Sequence, residues 1–342
     1  MEKALKGGTF SLVPEEELRE RRKSGEPMHY VSIYGSEQPG HMGHKLRVVS
    51  NSRLKNVYAG LSMNDCTERP PNTLVPLLTV LLWWRTNLFV LMVDLARAYQ
   101  ALHMGPMKRY TGLFLWRRRL GEKMETYGYD RVTFGDVEAA TALEIAKGKA
   151  AEAVYNIHPY TATQLREKMY SDDGTIAASS REELQRMRGD RREDGTYSGY
   201  VAEILETCGM ATKYIAIAGE KGQIKEEMLG GAMLGVGYDC SSDRIDFSFP
   251  PTFHKKGKGG LREEVRFSRK DLEALRNGLG SLTLRITLSY VMGQYDPLGL
   301  VSTLNMKMKL LLRKTHSAAT SWDEELPSDI KMALGELMTK LG

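Results

Sequence analysis

The alternation of apolar and polar positions divides the chain into a body of mixed strands and helices followed by a helical tail. Residues 1–28 are mostly polar, and Pro14-Glu15-Glu16-Glu17-Leu18-Arg19 predicts a short exposed helix entered through a proline, an extension rather than part of a core. Between residues 28 and 49 the β-branched and aromatic residues come in short runs broken by Gly, the pattern of a hairpin. Lys45 and Arg47 alternate with Leu46 and Val48, which gives the second strand one cationic and one apolar face. Residues 72–84 predict a mostly buried helix. The unbroken apolar run Leu88-Phe89-Val90-Leu91-Met92-Val93 then ends on Asp94 and implies a strand covered on both faces.

A helix is predicted over 95–103, then a Trp/Arg-rich stretch at 115–119 and a helix of small residues over 137–154 with Asp136 as its N-cap. Within 168–179, Asp172-Asp173-Gly174 predicts a hairpin turn between extended residues. Helices over 182–187 and 201–208 precede a strand pair within 233–249. Residues 253–260, FHKKGKGG, predict a flexible basic loop that separates two lobes. Beyond it the pattern is helical over 269–278, 282–292, 306–314 and 328–341, so the tail is expected to be all helix.

Composition narrows the classes. The 342 residues are enough for two to three lobes, and 42% hydrophobic against 27% charged residues is a globular balance that excludes disordered and collagen-like chains. A net charge of +5 suits a polyanionic partner without demanding one. Cys66, Cys208 and Cys240 are too far apart for a disulfide framework or a paired-cysteine zinc site, and fit a reducing compartment. The apolar stretch at 74–84 is too short for a membrane span, and the Glu/Arg-rich first thirty residues are not expected to act as a signal peptide.

The candidate chemistry lies in carboxylates. Asp94 at the end of a buried strand and Asp172-Asp173 in a hairpin can be brought together by adjacent strands, and such clustered charge calls for divalent cations. Two Mg²⁺ ions would clamp the attacking and leaving oxygens of an in-line phosphoryl displacement. Taken singly, an Asp-Asp-Gly tripeptide is most often a solvated turn and an Asp after an apolar strand a helix cap.

The surrounding residues change the balance. Val93-Asp94-Leu95-Ala96-Arg97-Ala98-Tyr99 resembles the first catalytic motif of reverse transcriptases, and Tyr170-Ser171-Asp172-Asp173 resembles their YxDD hairpin. Lys45-Leu46-Arg47-Val48-Val49 with Leu61-Ser62-Met63-Asn64-Asp65-Cys66 is similar to a fingers signature. Arg131-Val132-Thr133-Phe134-Gly135-Asp136 is similar to a template-side motif, and Leu234-Gly235-Val236-Gly237-Tyr238-Asp239 to a primer grip. With Met292-Gly293-Gln294-Tyr295-Asp296-Pro297-Leu298-Gly299 and Trp322-Asp323, these blocks follow the order of the BEL/Pao group of LTR retrotransposon polyproteins.

The resemblance implies an α+β right-hand polymerase fold with fingers, a palm built on an antiparallel sheet, and a helical thumb. Its boundaries would be an extension over 1–28, fingers over 29–93 and 104–130, palm over 94–103 and 131–252, and thumb over 253–342. The implied activity is RNA-directed DNA polymerisation: two-metal nucleotidyl transfer to a primer 3′-hydroxyl. Asp94, Asp172 and Asp173 would be the catalytic residues and hold two Mg²⁺, with Mn²⁺ as a substitute. Lys45 and Arg47 would meet the triphosphate, Leu95 would offer a backbone oxygen, Tyr99 would lie beneath the sugar, and Gly135 would let the chain approach the nascent pair. Tyr170, Ser171, Phe134, Leu234 and Gly235 would touch primer and template.

Implied partners are an RNA or DNA template with its primer, deoxynucleoside triphosphates, and RNase H or other polyprotein domains acting in trans, with no membrane. The implied location is cytoplasmic, in virus-like particles, or nuclear. Departures from the wider pattern are Asp136-Val137-Glu138 in place of Ser-Pro after Phe-Gly, Ser171 inside YxDD, and Tyr238 where Trp is common. A domesticated or degenerate copy that only binds nucleic acid or protein is the main alternative, and a template-independent nucleotidyltransferase is a third.

Overall fold

The computed structural model describes residues 2–40, 43–218, 234, 236–239, 244–246, 249, 252–256, 262–318 and 321–341. The side chains of residues 2, 3, 37–40, 43–47, 238, 239, 246, 252–256, 262–264 and 318 lie outside that description. By its internal contacts the chain divides into Met1–Met233 and Leu234–Gly342, so the expected boundary at 252/253 falls inside the second unit.

The first unit runs α1 (Glu2–Lys6), β1 (Phe10–Leu12), α2 (Glu15–Ser24), β2 (Ser32–Gly40), β3 (Gly43–Asn51), α3 (Met63–Cys66), α4 (Leu77–Thr86), β4 (Phe89–Leu95), α5 (Ala98–Ala101) and α6 (Met107–Thr111). It continues with β5 (Leu113–Trp116), β6 (Glu125–Tyr129), α7 (Ala139–Val154), α8 (Pro159–Glu167), β7 (Met169–Tyr170), β8 (Asp173–Ala178), α9 (Arg181–Arg188), α10 (Tyr200–Thr207) and β9 (Thr212–Ile217).

The apolar run that ends on Asp94 becomes β4, an inner strand of the antiparallel sheet ordered β7-β8-β4-β9. Its residues are buried on both faces, as the pattern predicts: Val90 and Met92 on one, Leu91, Val93 and Leu95 on the other. The second face packs with Leu143, Ala150 and Ala151 of α7, Leu165 of α8, Leu184 of α9 and Leu205 of α10.

The N-terminal residues are not the extension the polar composition suggests. β1 pairs with β6, Phe10 opposite Tyr129, and Phe10 is buried among Phe114, Tyr127 and Tyr129 with edge-on ring contacts. Leu18, the apolar residue of an otherwise charged helix turn, is 2% exposed and packs with Val13 and Leu113. Two further differences are local. α4 is amphipathic rather than mostly buried, with Leu78 and Leu82 exposed opposite Val80, Leu81 and Trp84. The helix expected over 95–103 shrinks to the single turn of α5.

The second unit comprises β10 (Gly237–Asp239), β11 (Arg244–Asp246), β12 (Thr252–Lys256), β13 (Arg262–Arg266), α11 (Arg269–Arg276), α12 (Leu284–Gly293), α13 (Ser302–Ala318) and α14 (Ser328–Leu341). β10 pairs with β11 and β12 with β13. The segment expected as a basic loop at 253–260 is therefore a strand as far as Lys256, and 257–261 lie outside the described residues. The tail is all helical only beyond Arg269. Its helices enclose Leu275, Tyr290, Met308, Leu334 and Met338, and a reciprocal Ser268/Asp271 capping box starts α11. No helix among the described residues is long and apolar enough to cross a membrane.

Candidate active site

Strand register brings the candidate carboxylates together. Asp94 lies directly opposite Asp173 on β8 and opposite Tyr214 on β9, so all three side chains leave the same face of the sheet. Tyr170 pairs with Asp173, which makes Ser171 and Asp172 the turn. The predicted turn was one residue further on, at Asp172-Asp173-Gly174; Asp173 and Gly174 instead belong to β8. Gly174 is needed for packing: a Cβ there would stand 2.3 Å from Met169 Cγ. Ser171 carries the left-handed conformation the turn requires, with φ 54°.

Burial dominates the electrostatics. Asp94 is 6% exposed, and burial pushes its carboxyl above the usual range, opposed by the Lys213 ammonium and reinforced by the charge of Asp172. Asp173 is pushed up to about 7 by burial first, then by the charges of Asp94 and Asp172. The Tyr214 phenol is raised by burial and by the same three carboxylates. Lys213 forms an ion pair with Asp94. It reaches that face because the β4/β9 register shifts between Asp94 and Leu95, leaving Lys213 as the extra residue of a bulge.

Carboxylate oxygens are the donors that Mg²⁺ and Mn²⁺ take, and the Lys213 ammonium stands where buried negative charge calls for a cation. The donor chemistry thus fits a divalent ion. The ligand geometry is not assembled, since among the described residues no three His, Cys, Asp or Glu side chains form a metal-holding group.

Around the carboxylates the chain is tied down by named bonds. The Leu95 N–H donates to the Asp172 carbonyl at 2.9 Å, and the hydroxyls of Tyr99 and Ser171 lie 3.0 Å apart. The Tyr99 ring meets Phe134 edge-on at 5.3 Å between centroids. Gly135 has φ 103°, and a Cβ there would come within 3.2 Å of the Ser50 carbonyl oxygen, so both conformation and space favour glycine. Its own carbonyl accepts from Asn64 Nδ2 at 2.9 Å, while Ser50 Oγ lies 3.0 Å from Thr133 Oγ1. The base of the β2/β3 hairpin is in this way knitted to the 133–137 loop.

Asp136 is the centre of that knot and not the N-cap of α7, which is Glu138 without a side-chain bond. The Asp136 carboxylate accepts from Ser52 Oγ at 2.8 Å, from the Thr133 N–H at 2.9 Å and from Thr133 Oγ1 at 2.8 Å. It also pairs with buried Lys108 at 2.5 Å. With its oxygens already accepting from these donors, the carboxylate has no acceptor position left for capping.

Asp94, Leu95, Tyr99, Phe134, Tyr170, Ser171, Asp172 and Asp173 are thus linked through the bonds, pairings and ring contact just given, and Gly135 follows Phe134. Lys45 and Arg47 sit on β3 opposite Gln38 and Ser36 in backbone register, and their side chains lie outside the description. Leu234 adopts φ 53° in the second unit, and Gly235 lies outside the described residues. The sequence patterns missed Lys213, Lys108, Glu144 and Lys147. For Lys213 a usable signal existed, the strand-length run Tyr214-Ile215-Ala216-Ile217 that follows it.

Comparison with curated proteins gives no match. Residues 283–342 match the family model described as "Pao retrotransposon-like RNaseH-like domain". This is the segment expected to be thumb, with RNase H expected to act in trans, and its described residues include the helices α12, α13 and α14 and no strand of a sheet. Among solved structures, the chain is similar to the foamy viral protease-reverse transcriptase in complex with an RNA/DNA hybrid, at 14% identity and TM-score 0.51 over 96% of this chain and 36% of that one. It is similar also to the foamy viral protease-reverse transcriptase in complex with dsDNA, at 14% identity and TM-score 0.52 over 99% of this chain and 55% of that one. The chain spans only about a third to just over half of those proteins. At this identity the likeness is one of fold: a mixed α/β chain built like part of a retroviral protease-reverse transcriptase, with a C-terminal segment that matches a retrotransposon family.

Proposed function

We propose that the chain is an RNA-directed DNA polymerase domain of a BEL/Pao-like retroelement, with its catalytic carboxylates in the first unit. The observation that carries this reading is the register of Asp94 opposite Asp173, with Asp172 at the adjoining turn, in a chain similar in fold to foamy viral protease-reverse transcriptases. Bound divalent cations would neutralise charge on the transferring phosphoryl group and favour loss of the primer 3′-hydroxyl proton. Asp94, Asp172 and Asp173 would hold them. Lys45 and Arg47 would contact the triphosphate with charge-assisted bonds. The Tyr99 ring, steadied by Phe134 and Ser171, would sit under the sugar, and Gly135 would admit the nascent pair. A primed template would complete the reaction.

The test is Asp172→Asn, which keeps size and removes a charge. Primer extension should fall by several orders of magnitude while primer-template binding persists. Extension at the wild-type rate would remove these residues from the reaction.

A second reading has an observation of its own. Lys213 already engages Asp94, and no three ligands converge among the described residues, as in a chain that keeps the fold and binds nucleic acid without polymerising. Tight primer-template binding without extension under either Mg²⁺ or Mn²⁺ would favour it.

A further inference from the structure

One buried charge pair in the first unit is used by no step above. Lys147 and Glu144 lie three residues apart on α7, with side chains 1% and 8% exposed and 2.7 Å between Nζ and Oε1. The Lys147 ammonium also donates to the carbonyl oxygens of Ser171 at 3.0 Å and Met169 at 3.3 Å. Lys147 thus spends two donors on main-chain carbonyls while its charge is paired with Glu144. Burial raises the Glu144 carboxyl above its usual range, opposed by Lys147 and by the Ser171 N–H. Ser171 is thus held at its carbonyl by Lys147 and at its hydroxyl by Tyr99.

Such a grip has a physical reason. A non-glycine residue at φ 54° is held against its intrinsic preference and persists only where the surroundings over-determine it. The next residue is Asp172, whose carbonyl is fixed by the Leu95 N–H. Burying two charges is costly, and hydrophobic residues of similar volume would stabilise at least as well. The pair makes sense as a device for geometry rather than for stability.

We propose that Glu144 and Lys147 are positioning residues, a clamp from α7 that fixes the Ser171 peptide and thereby aims Asp172 and places the primer end. The proposal rests on the polymerase reading, and its test separates the two. Lys147→Met alone strands a buried carboxylate, so the informative variant is Glu144→Leu/Lys147→Met, which removes both charges and keeps volume. Its melting temperature and primer-template affinity should stay near wild type. Amide hydrogen exchange over 169–174 should quicken about tenfold, and kcat should fall about a hundredfold with little change in KM for the nucleotide. If the double variant melts early, exchange and kcat read well below its midpoint serve the same comparison.

Exchange over 169–174 that matches wild type would overturn the clamp, and faster exchange with kcat intact would overturn its role in the reaction. If the unsubstituted chain extends no primer, the polymerase reading falls instead, and exchange alone decides whether the clamp exists.

Discussion

Lys213 reaches Asp94 only because β4 and β9 slip register between Asp94 and Leu95. In regular alternation Lys213, next to Tyr214, would leave the opposite face of the sheet. The bulge places a competing cation on a carboxylate assigned to metal. The Lys213 side chain is 64% exposed, so the pair is worth roughly 0.2–1 kcal/mol after solvent screening. Lys213→Met should therefore tighten Mn²⁺ binding, by up to about fivefold on that scale, as read by metal titration of the chain without nucleic acid. Weaker binding in the variant would show that the ammonium supports the site.

Asp173 predicts a pH dependence of stability. Its folded pKa is raised from 3.8 to about 7, so between these values the folded state holds a proton that the unfolded state has lost. Stability conferred by the protonated form is then fully present below about pH 4 and lost as pH rises toward 7. A shift of that size corresponds to an upper bound on the order of 4 kcal/mol. Urea melts in a chelator between pH 4.5 and 7.5 should show the decline, and Asp173→Asn should flatten it. A wild-type curve already flat over that range would mean that Asp173 ionises freely.

How much of this was legible in the sequence differs by element. β4 was readable because its apolar run needs cover on both faces, with Asp94 as the first carboxylate after it, although Leu88, the first residue of that run, lies outside the strand and is exposed. The hairpin was readable from its residue types, but not its turn: Gly174 looked like a turn glycine, whereas it is glycine because Met169 packs against it. Phe10 and Leu18 were hidden among charged neighbours, since single apolar residues produce no periodicity while their burial depends on Phe114, Tyr127 and Leu113, far along the chain. Asp136 misled for a related reason. Its position before a helix suggested a cap, and the donors that claim it come from Ser52 and Lys108.

That knot gives a third prediction. Lys108 and Asp136 have side chains 5% and 2% exposed, and removing one member of a buried pair typically costs 3–5 kcal/mol, so Lys108→Met should lose about that much by denaturant melting. Lys108→Met/Asp136→Val should recover part of the loss. A single variant as stable as wild type would mean that the pair is accessible to water.

Tyr99 tests sugar selection. Its ring is partly buried, between Phe134 and the Ser171 hydroxyl. Tyr99→Ala should raise the efficiency of ribonucleotide use relative to deoxynucleotide, because a steric gate is lost rather than a hydrogen bond. The cost in stability should stay below the roughly 3–5 kcal/mol of a fully buried aromatic. Equal losses for both sugars, with a large drop in melting temperature, would return Tyr99 to a packing role.

Primer extension by the unsubstituted chain on a primed RNA template, with deoxynucleotides and Mg²⁺, tests the central claim most directly. Templated addition to the 3′-end, abolished by chelator and by Asp94→Asn while the variant still binds primer-template, is the predicted result. Binding without any extension on RNA or DNA, or extension that survives Asp94→Asn, would contradict it.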